Sequence, residues 1–176
     1  MHLQDRIIRY VYTALFLAIS LVVSIIEASF SFSALISLPG VKLGLCNVAT
    51  TAAFYVIDKK SAFYITVCRP VFMFLLFSNP FSFVMSLTGG LFAYASLFLT
   101  RKMYGKSISF CAVSCIGAVF HSIGQCIAAS VVMGNSAIFA YLPLFAAASS
   151  IMGSISGVVM NIVIPQIKMQ NMSKEG

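Results

Sequence analysis

Six long apolar runs, separated by short polar or basic connections, constrain this chain more than any motif does. A helix needs about 20 consecutive apolar residues to cross the hydrocarbon layer of a bilayer. The runs fall near residues 10–30, 40–57, 61–77, 81–100, 107–133 and 137–164, and the second is short for a full crossing. They are continuous rather than alternating, which argues against a membrane barrel. With 60% hydrophobic and 9% charged residues, the chain has too little polar surface to cover a water-soluble domain of its size. The sequence therefore predicts an all-α integral membrane protein. Its 176 residues form one domain, a compact bundle of six transmembrane helices with short polar tails at 1–9 and 165–176. A basic start running into a long apolar segment, with no secretory cleavage pattern, is the pattern of a retained first span.

The net charge of +7 reflects topology and implies no nucleic-acid partner. Arg6, Arg9, Lys59, Lys60, Arg101, Lys102, Lys106, Lys168 and Lys174 all fall on one side of a six-span path, and only Lys42 falls in an opposite connection. Lysine and arginine accumulate in cytoplasmic connections, so both termini are expected in the cytoplasm of a multi-pass protein of the cell membrane. The connections at 31–42, 78–80 and 134–136 then face outward.

Within this apolar background a few polar residues stand out. Glu27 lies near the outer end of the first run, and Lys42 and Asn47 lie at the start of the second. Arg69 is followed by Pro70 in the middle of the third, and His121 and Gln125 share a face of the fifth. An ionised side chain at membrane depth is costly and is retained where it meets a partner, water or a ligand. Elements converging in the outer half would form an outward-facing polar pocket in an apolar wall, suited to an anionic or carbonyl-rich small molecule. The plain structural alternative is that Glu27 pairs with Arg69 or Lys42 and braces the bundle. The Pro39–Leu45 stretch, with two glycines around Lys42, reads either as the lip of such a pocket or as an interhelical turn.

Other chemistries find little support. The cysteines Cys46, Cys68, Cys111, Cys115 and Cys126 lie in apolar runs without a CxxC pair, and read as small buried hydrophobes rather than metal ligands. The acids Asp5, Glu27, Asp58 and Glu175 are dispersed, so no aspartate cluster offers magnesium its oxygen ligands. No phosphate-binding GxxxxGKS loop occurs. No catalytic role and no cofactor are expected for this chain. Ala14 and Ala18 are small residues four apart on the first helix, a spacing that lets a neighbouring helix approach closely in lipid.

The stretch Pro39-Gly40-Val41-Lys42-Leu43-Gly44-Leu45-Cys46-Asn47 resembles the PGVKLGLAN signature of the Gx transporter family, also labelled heptaprenyl diphosphate synthase component I. Gly117-Ala118-Val119-Phe120-His121-Ser122-Ile123-Gly124-Gln125 is similar to a second element of that family. Ile26-Glu27, Arg69 and Gly89-Gly90 fit as well, and the resemblance covers about residues 10–165. Cys46 stands where alanine is usual and Ser122 where asparagine is usual. The family resembles the substrate-binding S components of energy-coupling factor (ECF) importers. That resemblance implies a six-helix fold that captures a vitamin or related compound and docks on a T component and two cytoplasmic ATPases, which alone use ATP. It also implies that Ala14 and Ala18 contact the T component and that the loaded subunit topples in the membrane. Two further readings remain open: a non-catalytic accessory subunit of a polyprenyl diphosphate or quinone biosynthetic enzyme, and a stand-alone secondary carrier, for which inverted repeats would be the mark.

Overall fold

A computed structural model of the chain describes residues 2–29, 44–101 and 109–172. Its elements are α1 (His2–Ser29), α2 (Asn47–Val56), α3 (Lys59–Phe77), α4 (Pro80–Arg101), α5 (Phe110–Met133), a 3-10 turn (Ser136–Tyr141) and α6 (Leu142–Met172). Five segments are long and apolar enough to cross a membrane. The second expected span, short already in sequence, is the 10-residue α2, roughly 15 Å of helix and about half of a crossing. The edges also move. α1 begins at His2 rather than near Tyr10, and α6 continues through Pro165 to Met172, so most of the expected tail is helical. Lys42 and the rest of the expected outward connection at 31–42 lie outside the described residues.

Local chemistry sets the helix ends. Asp58 has extended backbone and caps α3, its carboxylate accepting from the Ser61 amide at 2.6 Å. α3 stops at Ser78, whose left-handed φ of 49° ends the helical repeat. Asn79 then accepts from the Ser82 amide at 3.0 Å, and Pro80 opens α4, where its missing N–H costs nothing. Ser109 caps α5, and Gly134, at φ 62°, closes it without Cβ strain.

α5 is the central helix, packed along one side on α4 and along the other on α6. These contacts are close because small residues meet backbone. Gly124 faces the backbone of Thr88 and Gly89 on α4, and Gly153 and Gly157 of α6 face the Cα atoms of Cys115 and Cys111. Cys46 and Cys126 are buried, while Cys68, Cys111 and Cys115 are half-buried. α1 lies at the edge, against α2 and α3. One stripe of it, Phe16, Ser20, Ser24 and Glu27, is turned inward, while Leu15, Ile19, Val22 and Ile26 are exposed. The outer faces of the other helices carry exposed apolar residues such as Leu75, Leu99, Val131, Ile151 and Ile162, the surface expected where lipid is the solvent. At one end of the bundle, Arg9 reaches Asp58 at 3.0 Å, which puts the start of α1 beside the α2–α3 turn.

Candidate functional site

The polar residues singled out in the sequence meet in the interior. The α1 stripe turns the Glu27 side chain inward, where its Oε1 accepts from the Gly44 amide at 2.7 Å. Gly44 has φ 83°, a conformation that glycine adopts without penalty. A larger side chain there would be strained and crowded, because a methyl group would sit 3.0 Å from the Asn47 side-chain amide nitrogen and 3.2 Å from the His121 ring. Asn47 opens α2, and its side-chain oxygen accepts from Arg69 Nη1 at 3.3 Å. On α5, the Gln125 amide nitrogen lies 3.1 Å from His121 Nε2 one turn away. α4 forms the floor with two glycines: a methyl group on Gly89 would be 2.8 Å from the His121 ring, and one on Gly90 would be 3.4 Å from Arg69 Nη2. Glu27, Asn47, Arg69, His121 and Gln125 thus form one contiguous centre built by five helices.

The electrostatics of this centre are unusual. Arg69 is 1% exposed and Glu27 is 9% exposed, yet among the described residues each makes a single side-chain hydrogen bond. Among the described residues the one ion pair is Arg9–Asp58, so Glu27 and Arg69 do not neutralise each other. Arg69 Nε and Nη2, Glu27 Oε2 and Asn47 Nδ2 are buried without partners. A buried polar group left unsatisfied costs about 1–3 kcal/mol, and more when charged. Pro70 adds to the local polarity: it has no N–H for the Thr66 carbonyl one turn back.

Ser24 was not noted in the sequence, and Thr50, a polar residue of the second run, was not taken as a site residue. Both hydroxyls are buried without partners. Ser24 lies one turn before Glu27 and Thr50 one turn after Asn47, so helical spacing from the two polar anchors was the signal that could have found them. The expected outward-facing pocket would include Lys42 and the 31–42 connection, which lie outside the described residues. Beside Gly44, Asn47 and Thr50 lies a cavity of only about 20 Å³, room for about one water. Among the described residues no group of three or more His, Cys, Asp or Glu side chains could hold a metal ion.

Five helices long and apolar enough to cross a membrane, with a buried, incompletely satisfied polar centre in the bundle, are the features of a multi-pass helical membrane protein. A family model described as heptaprenyl diphosphate synthase component I matches residues 16–163. The chain belongs to that family. Neither the curated proteins nor the solved structures include a match to it.

Proposed function

We propose that this chain is the membrane-embedded substrate-binding subunit of an ECF-type importer, capturing a small anionic or carbonyl-rich molecule from outside the cell. The observation that carries this reading is Arg69, wholly buried, with two guanidinium nitrogens unpartnered. Structural bracing leaves such a group satisfied; a ligand site leaves it waiting. In this reading Arg69 and Asn47 bind the ligand's anionic oxygens, Glu27 accepts from a donor on the ligand, and His121 with Gln125 close the far side. Lys42, outside the described residues, supplies a second cation. Both termini are cytoplasmic and the fold is that of an S component.

Ala14 and Ala18 are exposed on the outer face of α1, a bare patch that supports docking of a T component. The two ATPases bind that partner, and this chain performs no catalysis. The packing around the 20 Å³ cavity must loosen to admit a whole ligand, since small-molecule sites occupy some 300–1,000 Å³.

The family description favours a second reading, an accessory membrane subunit of a polyprenyl diphosphate synthase. Mass spectrometry of the protein purified alone separates the two. A co-purifying small molecule, lost in Arg69→Gln while the variant remains folded, supports capture. A ligand-free protein that instead pulls down a soluble prenyl synthase rejects it. For docking, Ala14→Leu is expected to keep the ligand and lose the T component; retention of both would remove this face from the interface.

A further inference from the structure

A second charged region lies on the surface, roughly 15 Å of helix from Arg69. Lys59 and Lys60 open α3, and Arg101 closes α4. Tyr94 of α4 donates to the Lys59 carbonyl at 3.1 Å, which ties these two helix ends together. They are the ends of two segments apolar enough to cross a membrane, the depth at which lipid headgroups lie. Lys59, Lys60 and Arg101 are all exposed, and among the described residues none of them forms an ion pair. The acid beside them, Asp58, is already engaged: it accepts from the Ser61 amide at 2.6 Å and from Arg9 at 3.0 Å. Aromatic rings organise the patch. Lys59 Nζ lies over the Phe98 ring, 5.4 Å from its centroid, and Arg101 follows Phe98 by about one turn on the same side of α4. Tyr94 packs edge-on against Phe98 at 5.2 Å and against Phe63 at 5.6 Å. Phe63 and Phe98 are exposed, so an aromatic ledge runs from the cations into the apolar depth of the bundle surface.

We propose that this corner binds an anionic phospholipid of the surrounding bilayer, of the phosphatidylglycerol type. Its phosphate sits between Lys59 and Arg101, and the upper part of an acyl chain lies on Phe63 and Phe98. Charge complementarity selects the anionic head. Each cation near a bilayer surface favours such a lipid by about fivefold, and the first turn of α3 adds the positive end of a helix. The ring beneath Lys59 holds the ammonium in place by a cation–π contact while leaving N–H donors for the phosphate. The ledge selects a lipid over a soluble anion, because a free phosphate gains nothing from exposed apolar rings. The site is separate from the polar centre and does not depend on what that centre binds.

The test is native mass spectrometry of the full chain in detergent, titrated with phosphatidylglycerol or with phosphatidylcholine of the same acyl chains. The wild type is expected to hold one phosphatidylglycerol about tenfold more tightly than phosphatidylcholine. Lys59→Gln and Arg101→Gln should each weaken phosphatidylglycerol about fivefold and leave phosphatidylcholine unchanged. Phe98→Leu keeps every charge and should still weaken it about threefold, as Lys59 loses its ring. Arg6→Gln removes an equally exposed cation from α1 and should change little. All four positions are exposed, so the lipid-free variants should unfold at the wild-type temperature. Equal affinity for the two lipids overturns the proposal. So does a loss in Arg6→Gln as large as in Lys59→Gln, which would mean diffuse surface charge, and so does unaltered binding in both Lys59→Gln and Arg101→Gln. Soluble glycerol phosphate that displaces the lipid at equal concentration would assign the corner to a free anion and overturn the lipid.

Discussion

Replacing a glycine inside a helix by alanine ordinarily stabilises the helix by about 1 kcal/mol, because alanine has less backbone freedom to lose. The central helix of this bundle offers two such glycines with opposite expected outcomes. At Gly117 a new methyl group would meet only Ser96 Oγ, at 3.7 Å, an ordinary contact distance. At Gly124 it would meet the Thr88 carbonyl oxygen at 2.8 Å, Gly89 Cα at 2.9 Å and the Gly89 nitrogen at 3.1 Å. All three are backbone atoms of α4, so no rotamer change can relieve the contact and the two helices must separate. Overpacking of this kind typically costs about 1–3 kcal/mol. In lipid no hydrophobic gain restores what close packing loses. Gly117→Ala should therefore gain about 0.5–1 kcal/mol, and Gly124→Ala should lose up to about 2 kcal/mol after the helix-propensity gain is subtracted. With the half-buried Cys68, Cys111 and Cys115 first blocked in the folded protein, buried Cys46 and Cys126 supply the assay: a thiol-reactive fluorophore reports unfolding of the detergent-solubilised protein as temperature rises. Equal midpoint shifts of the same sign in both variants would refute the close α4–α5 approach.

Three further outcomes are expected. Burial alone would raise the Asp58 carboxyl, but the hydrogen bonds from Ser61 and the nearby Arg9 cation outweigh it and hold the group below its usual 3.8. The stabilisation from that cap is therefore present above about pH 4 and lost as pH falls through the lower folded-state value. Asp58→Ala should cost about 1 kcal/mol at pH 7, with little added by the exposed Arg9 pair, and the difference from wild type should shrink in melts below pH 4. Asn47→Ala removes the side-chain partner of Arg69 Nη1, and should cost about 1.5–3 kcal/mol in the same thiol assay. Glu27→Gln keeps an acceptor for the Gly44 amide and removes a buried charge; its melting point should equal or exceed that of wild type, while the amount of co-purifying ligand falls.

Much of the fold was legible because the bilayer imposes a simple length rule on apolar runs, and five of the six runs follow it. The edges were not legible. Pro165 read as a stop, yet α6 runs on to Met172, since proline hinders the turn before it without forbidding a longer helix. The convergence of Glu27, Asn47, Arg69, His121 and Gln125 was legible for an energetic reason: groups that are expensive in an apolar run are placed where their neighbours are polar too. Ser24 and Thr50 were not taken as site residues because hydroxyls are cheap in such helices. Most of them simply return a hydrogen bond to a carbonyl one turn back, as Ser20, Thr51 and Thr66 do. The size of the central space was the least legible property. It depends on how closely Gly44, Gly89 and Gly90 let backbones approach the histidine and arginine, and no single run of sequence encodes that distance.

The arrangement of the two buried charges separates a binding site from a structural clamp. A clamp would place Glu27 and Arg69 in direct contact, because a buried ion pair recovers its desolvation cost only with close geometry and satisfied hydrogen bonds. Here each ion is instead tied to a neutral intermediary, Glu27 to the Gly44 amide and Arg69 to the Asn47 side chain. Gly44 and Asn47 lie in the same turn at the start of α2, joined by a backbone bond of 3.0 Å. One short helix therefore positions both ions and keeps their remaining hydrogen-bonding groups open. α2 is buried along most of its length and packs on α1, α3, α4, α5 and α6, so the whole bundle sets the position of its first turn. A displacement of its first turn would change the environment of the carboxylate and the guanidinium together, so binding at one is expected to be felt at the other.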